Sequence, residues 1–183
     1  EPVAYLDEMA EEWKKIWEAF DISYDRFIRT TEQDHHGAVL KFFAKLNPRD
    51  IYKGSYEGWY CVGCEEFYPE DKLVNGACPI HKTKPEWIKE ENYFFKASNY
   101  QAQLEAHYAA HPEFVQPDYR RNEMLGFLKQ GLKDTSISRA GGKWGIKFPK
   151  DESHVIYVWF EALLNYMSGI GYASDEAQFE KFW

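Results

Sequence analysis

The sequence predicts an α/β fold whose framework lies at the two ends of the chain and is interrupted between them by an inserted module. Helix-period and strand-like stretches sit side by side at both ends. Val155 to Phe160 is a run of six apolar residues that leads directly into a helical stretch from Glu161 to Met167. That is the pattern of a parallel-type strand buried on both faces. Between the ends, Cys61-Val62-Gly63-Cys64 is followed after thirteen residues by Cys78-Pro79-Ile80-His81. These are two ligand pairs, each spaced to close on one metal ion.

The elements follow in order. Leu6, Met9, Trp13, Ile16, Trp17 and Phe20 recur at steps of three and four, with Glu8, Glu11, Glu12 and Lys15 opposite them. They predict an amphipathic helix that Pro2 is suited to open. Ile22 to Thr31 reads as a strand. Gln33 to Leu46 reads as a helix with Val39, Leu40, Phe43 and Leu46 facing inward, halted by Asn47-Pro48. Alternating aromatics and glycine from Ile51 to Tyr60 suggest a short hairpin entering the cysteine knuckle, and Glu86 to Lys96 a strand closing it. Ser98 with Gln101 has the form of a capping box for a helix carrying Tyr100, Leu104 and Tyr108. Asp118 is placed to cap a helix through Met124, Leu125 and Leu128 that stops at Gly131, and Gly141-Gly142 marks a turn.

Thiolate and imidazole suit zinc, and four protein ligands leave no open position for a substrate water, so the knuckle reads as a structural zinc clamp. Gly63 and Pro79 fit the tight turns it needs. All three cysteines of the chain belong to it, which argues against a disulfide framework and for a reducing, cytoplasmic setting. A redox role for Cys61 and Cys64 fits poorly with a third cysteine and His81 beside them. The 183 residues include 44% hydrophobic and 18% aromatic side chains, enough for a ring-rich core. No long apolar run suggests a membrane span, and the start does not read as a signal peptide. A net charge of −8 disfavours unspecific nucleic-acid binding, which draws on Lys and Arg. The basic clusters at Lys41 to Lys53 and Lys82 to Lys89 read as solvated faces.

Five further motifs make the pattern specific. Phe27-Ile28-Arg29-Thr30-Thr31, Tyr56-Glu57-Gly58-Trp59-Tyr60-Cys61, Glu91-Asn92-Tyr93-Phe94-Phe95, Ser136-Ile137-Ser138-Arg139 and Tyr157-Val158-Trp159-Phe160-Glu161-Ala162-Leu163 resemble, in order and spacing, the methionyl-tRNA synthetases. The single knuckle resembles bacterial members that carry one zinc. Family members position ATP with a His-Ile-Gly-His-like motif and a Lys-Met-Ser-Lys-Ser-like loop. Neither stands in this sequence, and Asp34-His35-His36-Gly37 is no variant of the first.

The resemblance therefore implies a central piece of a class I synthetase. Residues 1–31 would end the first half of a Rossmann-type catalytic domain. Residues 32–135 would form the α+β connective insertion, with its knuckle at 59–96, and residues 136–183 would return into the second half. Such an active site straddles both halves, so the chain alone is expected to lack activity and to hold no catalytic residue. The intact enzyme would use ATP with magnesium, methionine and the acceptor end of methionine tRNA, and its partners would be the remaining catalytic and anticodon-binding parts of the same protein. The alternative is a stand-alone zinc-ribbon module that binds nucleic acid or protein.

By resemblance, Trp159, Ala162, Leu163 and Tyr166 form the methionine pocket. Trp159 would stand at a strand end, where an open α/β sheet places ligand contacts, with its indole against an unbranched thioether. Arg139 matches an arginine near the adenylate, where a fixed cation would neutralise a carboxylate or phosphate. The metal ligands are Cys61, Cys64, Cys78 and His81. Glu161 departs from the aspartate more usual after the Trp-Phe pair, so its local hydrogen bonds are expected to differ. Arg29, Thr30 and Thr31 read as a strand end at the crevice, without an assigned role. His107 and His111 stand four apart on a helix with Tyr108 between them and read as surface residues. His35 and His36 read as capping or solvated, and His154 is unplaced.

Overall fold

The computed structural model describes residues 2–64 and 66–183. Glu1, which opens the first expected segment, and Glu65, within the knuckle span, lie outside the described residues. Helices and sheets are both present, in keeping with the α/β class. Helix α1 (Pro2–Ala19) and helix α2 (Gln33–Lys45) open the chain. A long antiparallel ribbon follows, built from β1 (Ile51–Cys61) and β3 (Glu86–Phe95), with β2 (Glu66–Tyr68) between them in sequence. Helices α3 (Gln101–Ala110) and α4 (Asp118–Leu128) lead to the short strands β4 (Thr135–Ser136), β5 (Ser138–Ala140) and β6 (Lys147–Phe148). Strand β7 (Asp151–Ile156) runs into helix α5 (Val158–Glu161), a 3-10 turn at Ala162–Leu164 and helix α6 (Asn165–Ser168); α7 (Glu176–Phe182) comes last.

Among the described residues, one sheet has the order β2-β1-β3-β4 and a second the order β5-β7-β6. Ten pairs zip the ribbon from Ile51↔Phe95 to Tyr60↔Glu86. Ile51 to Tyr60 is thus one strand, not a hairpin: its sequence partner lies beyond the knuckle. Stacked rings line it, with Tyr52 against Phe94 at 5.5 Å and Trp59 edge-on to Trp87 at 5.2 Å. Such cross-strand aromatic pairs are what stabilise a narrow sheet. The ribbon's base is tied to the rest of the molecule, because Tyr93 N–H donates to Ser138 Oγ and Ile137 N–H to the Tyr93 carbonyl.

The core sits where this base meets α2, β7 and the α5–α6 segment. Val39, Phe43, Ile137, Ile146, Phe148, Ile156 and Leu164 are buried there, with Phe95, Phe160 and Met167 packed around them. Phe43 meets Phe148 and Phe160 edge-on at 5.8 and 5.5 Å, an arrangement the ring quadrupole favours.

Several local expectations are corrected. Ile22 to Thr31 is extended chain without strand pairing: Trp17, Tyr24 and Phe27 cluster there, and rings rather than a backbone ladder hold the segment. The final strand ends at Ile156, so Val158, Trp159 and Phe160 are helical; β7 is also the centre of its sheet and pairs antiparallel, not parallel, on both sides. Leu40 faces solvent, because its step from Val39 carries it off the buried face. No capping box forms at Ser98. Ser98 Oγ donates to Asp134 at 2.6 Å, while Gln101 Nε2 donates to the Leu128 carbonyl and its Oε1 accepts from Leu132 N–H. Asp118 occupies the first helical turn after Pro117 and makes no side-chain cap. The amphipathic first helix forms as expected, but Trp13, Ile16 and Phe20 on its apolar stripe are exposed.

Candidate metal centre and the exposed aromatic face

The far end of the ribbon carries the cysteine knuckle. Strand β1 ends on Cys61, a turn brings Cys64 round, and β2 folds back on β1 through Trp59↔Tyr68 and Cys61↔Glu66. Val74 and Ala77 bridge a second tight turn whose Asn75 and Gly76 both have positive φ, and this turn presents Cys78. Donor atoms of Cys61, Cys64, Cys78 and His81 all lie within 4.8 Å of one another. Cys64 Sγ is 3.5 Å from Cys78 Sγ and 3.1 Å from His81 Nδ1, and Cys61 Sγ is 3.8 Å from the same nitrogen. A tetrahedron with metal–sulfur arms of about 2.3 Å has sulfur–sulfur edges of roughly 3.8 Å, so the four donors fit a zinc ion.

The surroundings also suit a cation. Cys61 and Cys78 are buried beside Tyr68, with Cys64 and Leu73 packed against them. Tyr68 donates its hydroxyl to Cys64 Sγ at 3.3 Å, and His81 N–H donates to Cys78 Sγ at 3.4 Å. Burial pushes the Cys78 thiol up, but the backbone N–H groups of His81 and Ile80 and the neighbouring thiols outweigh it, lowering its pKa to about 6. At Cys64 the Tyr68 hydroxyl is the largest single influence and acts downward. Burial and the crowding of Cys78 and Cys61 outweigh it, and the pKa rises to about 11. Three thiols this close cannot all ionise without a positive charge among them, and a bound metal supplies one. Gly63 is part of the cradle. A Cβ there would lie 2.9 Å from His81 Cδ2 and 3.0 Å from both Cγ and Nε2, so the imidazole rests on the glycine backbone. The sequence reading valued Gly63 for its turn and missed this contact.

The residues assigned to the methionine pocket lie on the α5–α6 segment. Trp159, Leu163 and Tyr166 are each 70% exposed, and Ala162 is half-buried. Their spacing puts them on one side of the segment, while Glu161, Leu164 and Ser168 take the other and are buried. They form an open apolar face, not ordinary core. Arg139, on β5, lies with its guanidinium 3.5 Å from the Tyr157 ring centre and donates to Ser136 Oγ and the Ser138 carbonyl. Arg29 pairs with Asp7 at 2.8 Å, and Thr30 and Thr31 are half-buried in the extended segment.

The histidines divide sharply. His107 and His111 have ring centres 4.7 Å apart and Phe114 edge-on to His107, and they join no metal-ligand cluster among the described residues. His154 is buried and joins β7 to β3, with its Nε2 2.8 Å from the Glu91 carbonyl and Nδ1 near Ser153 and Asp151. His35 is neither a cap nor solvated. It is fully buried, 2.5 Å from Glu161 through Nε2 and 3.1 Å from Ser168 through Nδ1. The signal was present, since His35 shares its helical face with Val39, four residues on. The basic clusters are largely answered by acids, with Lys41 on Glu176, Lys53 on Glu91 and Lys89 on Glu57.

Among the described residues no helix is long and apolar enough to cross a membrane. A sequence-family profile described as tRNA synthetases class I (M) matches residues 1–85 and 70–183. Methionine–tRNA ligase of Thermotoga maritima is 47% identical over 188 aligned positions, covering all of this chain and 30% of that protein. The Clostridium acetobutylicum enzyme of the same name is 50% identical over 185, covering all of the chain and 29% of its own length. The structure of Mycobacterium tuberculosis methionyl-tRNA synthetase in its apo form superposes with a TM-score of 0.84 at 40% identity, covering 100% of this chain and 38% of that one. The same enzyme in complex with methionyl-adenylate gives 0.80 at 41% identity, over 93% and 35%. The chain thus spans about a third of these proteins, with their class I Rossmann-type region and connective insertion, and it belongs to the methionyl-tRNA synthetase family.

Proposed function

We propose that this chain is the central part of an enzyme that joins methionine to its tRNA at the expense of ATP, and that it supplies two things: a zinc-stiffened insertion and one wall of the amino-acid pocket. In the intact protein the methionine carboxylate attacks the α-phosphorus of ATP, releasing pyrophosphate and leaving methionyl-adenylate. The acyl group then passes to the terminal ribose of the tRNA. Magnesium accompanies the ATP. Such chemistry rests chiefly on positioning and on neutralising phosphate charge. Residues 1–31 complete the first half of the catalytic domain, 32–135 form the insertion with its knuckle at 59–96, and 136–183 re-enter the second half. The setting is the cytoplasm.

The observation that carries the reading is the open face of Trp159, Leu163 and Tyr166, three large apolar side chains left exposed side by side on a segment whose opposite side is buried. An unbranched thioether laid against the Trp159 indole gains a sulfur–aromatic contact as well as apolar burial. Arg139 is held at the sheet by its stack on Tyr157, where its charge serves an adenylate phosphate. Zinc bound by Cys61, Cys64, Cys78 and His81 fixes the ribbon tip that faces the acceptor end of the tRNA; the metal shapes and takes no part in bond making.

The test is Trp159→Ala in the full-length enzyme. Because the ring is largely exposed, stability should hold. The KM for methionine should rise about tenfold, corresponding to about 1.4 kcal/mol of lost contact, with the KM for ATP unchanged. An unchanged methionine KM would reject the pocket assignment. The chain on its own should show no methionine-dependent ATP–pyrophosphate exchange.

A further inference from the structure

The segment that carries the apolar face has little reason to hold its shape by itself. It runs as four helical residues, a three-residue 3-10 turn and four more helical residues. Helices that short have no intrinsic stability, so their geometry comes from anchors. Leu164 supplies an apolar one. The polar ones converge on a single side chain: His35, from the first turn of α2, has Nε2 at 2.5 Å from Glu161 on α5 and Nδ1 at 3.1 Å from Ser168 Oγ on α6. One buried ring thus bolts down both ends of the segment. Arg26 reinforces the far end, with Nη1 at 3.3 Å from the Ser168 carbonyl and 3.4 Å from that of Gly169.

The near end has more at stake. Glu161 is buried, lies between Phe160 and Ala162, and among the described residues its carboxylate is met by His35. With Glu161 ionised the carboxylate only accepts, so Nε2–H donates. A buried carboxylate stripped of its donor turns toward water, and here that turn would rotate α5. Trp159 lies two residues before Glu161 and Leu163 two after it.

We propose that His35 is a positioning residue: through Glu161 and Ser168 it sets the orientation of the α5–α6 segment and thereby of Trp159, Leu163 and Tyr166. Its effect on methionine binding rests on the pocket reading given above; its effect on the orientation of Trp159 does not.

The two arms separate with near-isosteric variants in the full-length enzyme. His35→Gln retains an N–H donor where Nε2 stands and so keeps the Glu161 arm, whereas His35→Asn keeps the Ser168 arm and strands Glu161. Both avoid a large cavity. With 5-fluorotryptophan incorporated and the Trp159 line assigned by its loss in Trp159→Phe, the His35→Asn enzyme should show that line shifted or broadened. Its methionine KM should rise about tenfold, as misplacement by a fraction of an ångström can produce, while the ATP KM stays within about twofold. His35→Gln, which gives up only the Ser168 arm that Arg26 also holds, should move the Trp159 line less than His35→Asn does and keep the methionine KM within about twofold. A Trp159 line left in place by His35→Asn, or equal perturbation by the two variants, would overturn the proposal. A shifted line with unchanged methionine KM would uphold the anchoring and reject the pocket.

Discussion

Replacing Gly63 with alanine should weaken metal binding without weakening the fold. The added methyl would meet three atoms of the His81 ring at 2.9 to 3.0 Å. Ordinary carbon contacts begin near 3.5 Å, so the ring must retreat by roughly 0.5 Å. The ring is exposed and can move cheaply. Its Nδ1, however, is one of the four donors placed to hold the metal, and ligand distances tolerate only about 0.2 Å. The displacement therefore comes out of the metal site. Changes that misorient a ligand in this way typically cost about 10- to 100-fold in affinity, or about 1.4 to 2.8 kcal/mol. Gly63 is not among the glycines of positive φ, so alanine meets no backbone strain there. It should leave the metal-free protein unchanged or stabilise it by up to about 1 kcal/mol through the unfolded chain. Competition for zinc against a chromophoric chelator measures the first quantity, and thermal melting in excess chelator the second. Zinc affinity within about twofold of the parent would refute the reasoning, and so would a fall in the chelated melting temperature.

Other perturbations follow from the same geometry. Cys61→Ser should release zinc and weaken aminoacylation by the full-length enzyme, read from metal stoichiometry and tRNA charging; unchanged kinetics in a metal-free, still folded variant would count against a guiding role for the knuckle. Tyr68→Phe removes the hydroxyl that donates to Cys64 and should reduce zinc affinity about tenfold in the same chelator assay, as loss of an outer-shell contact does. Gly142→Ala would place its methyl 2.4 Å from Val155 Cγ2, a β-branched and stiff neighbour, so urea denaturation should show a loss of about 1 to 3 kcal/mol. Asp151 is held below the usual carboxylate range, first by the Ser153 hydroxyl and then by Ser153 N–H and Tyr93. A depressed native pKa stabilises the fold above the unfolded value and is lost as pH falls, so stability should decline on acidification from about pH 4 downward. Asp151→Asn should flatten that part of a pH–melting curve.

The knuckle was legible because its chemistry is local. Two ligand pairs with short spacing announce a four-donor cluster without knowledge of the fold, and the four side chains do converge. Helices α1, α2 and α4 and strand β3 were likewise legible from period and breakers. What failed was non-local. The partner of Ile51 to Tyr60 lies on the other side of the knuckle, so alternation alone could not distinguish a hairpin from one long strand. Ile22 to Thr31 has strand composition but no ladder to join, and its rings close on Trp17 instead. The run from Val155 to Phe160 is apolar for two different reasons, β7 burial up to Ile156 and the exposed face of α5 beyond it, and hydropathy does not separate them. His35 and Glu161 are polar by type yet meet in the interior. Only the periodic match of His35 with Val39 hinted at it.

The ribbon also has a mechanical consequence. Its ten paired positions extend about 31 Å at the rise of an antiparallel strand, and between its tied base and the knuckle it is only two strands wide. Two-stranded stretches twist easily. The molecule is therefore a lever with a stiff head and a compliant shaft. A rotation of about 10° where the ribbon leaves the core would sweep the knuckle through roughly 5 Å on an arm of that length. Small adjustments around Asn92 and Ser138, far from the knuckle, would change where it points, and a metal held there would stiffen the tip without aiming it.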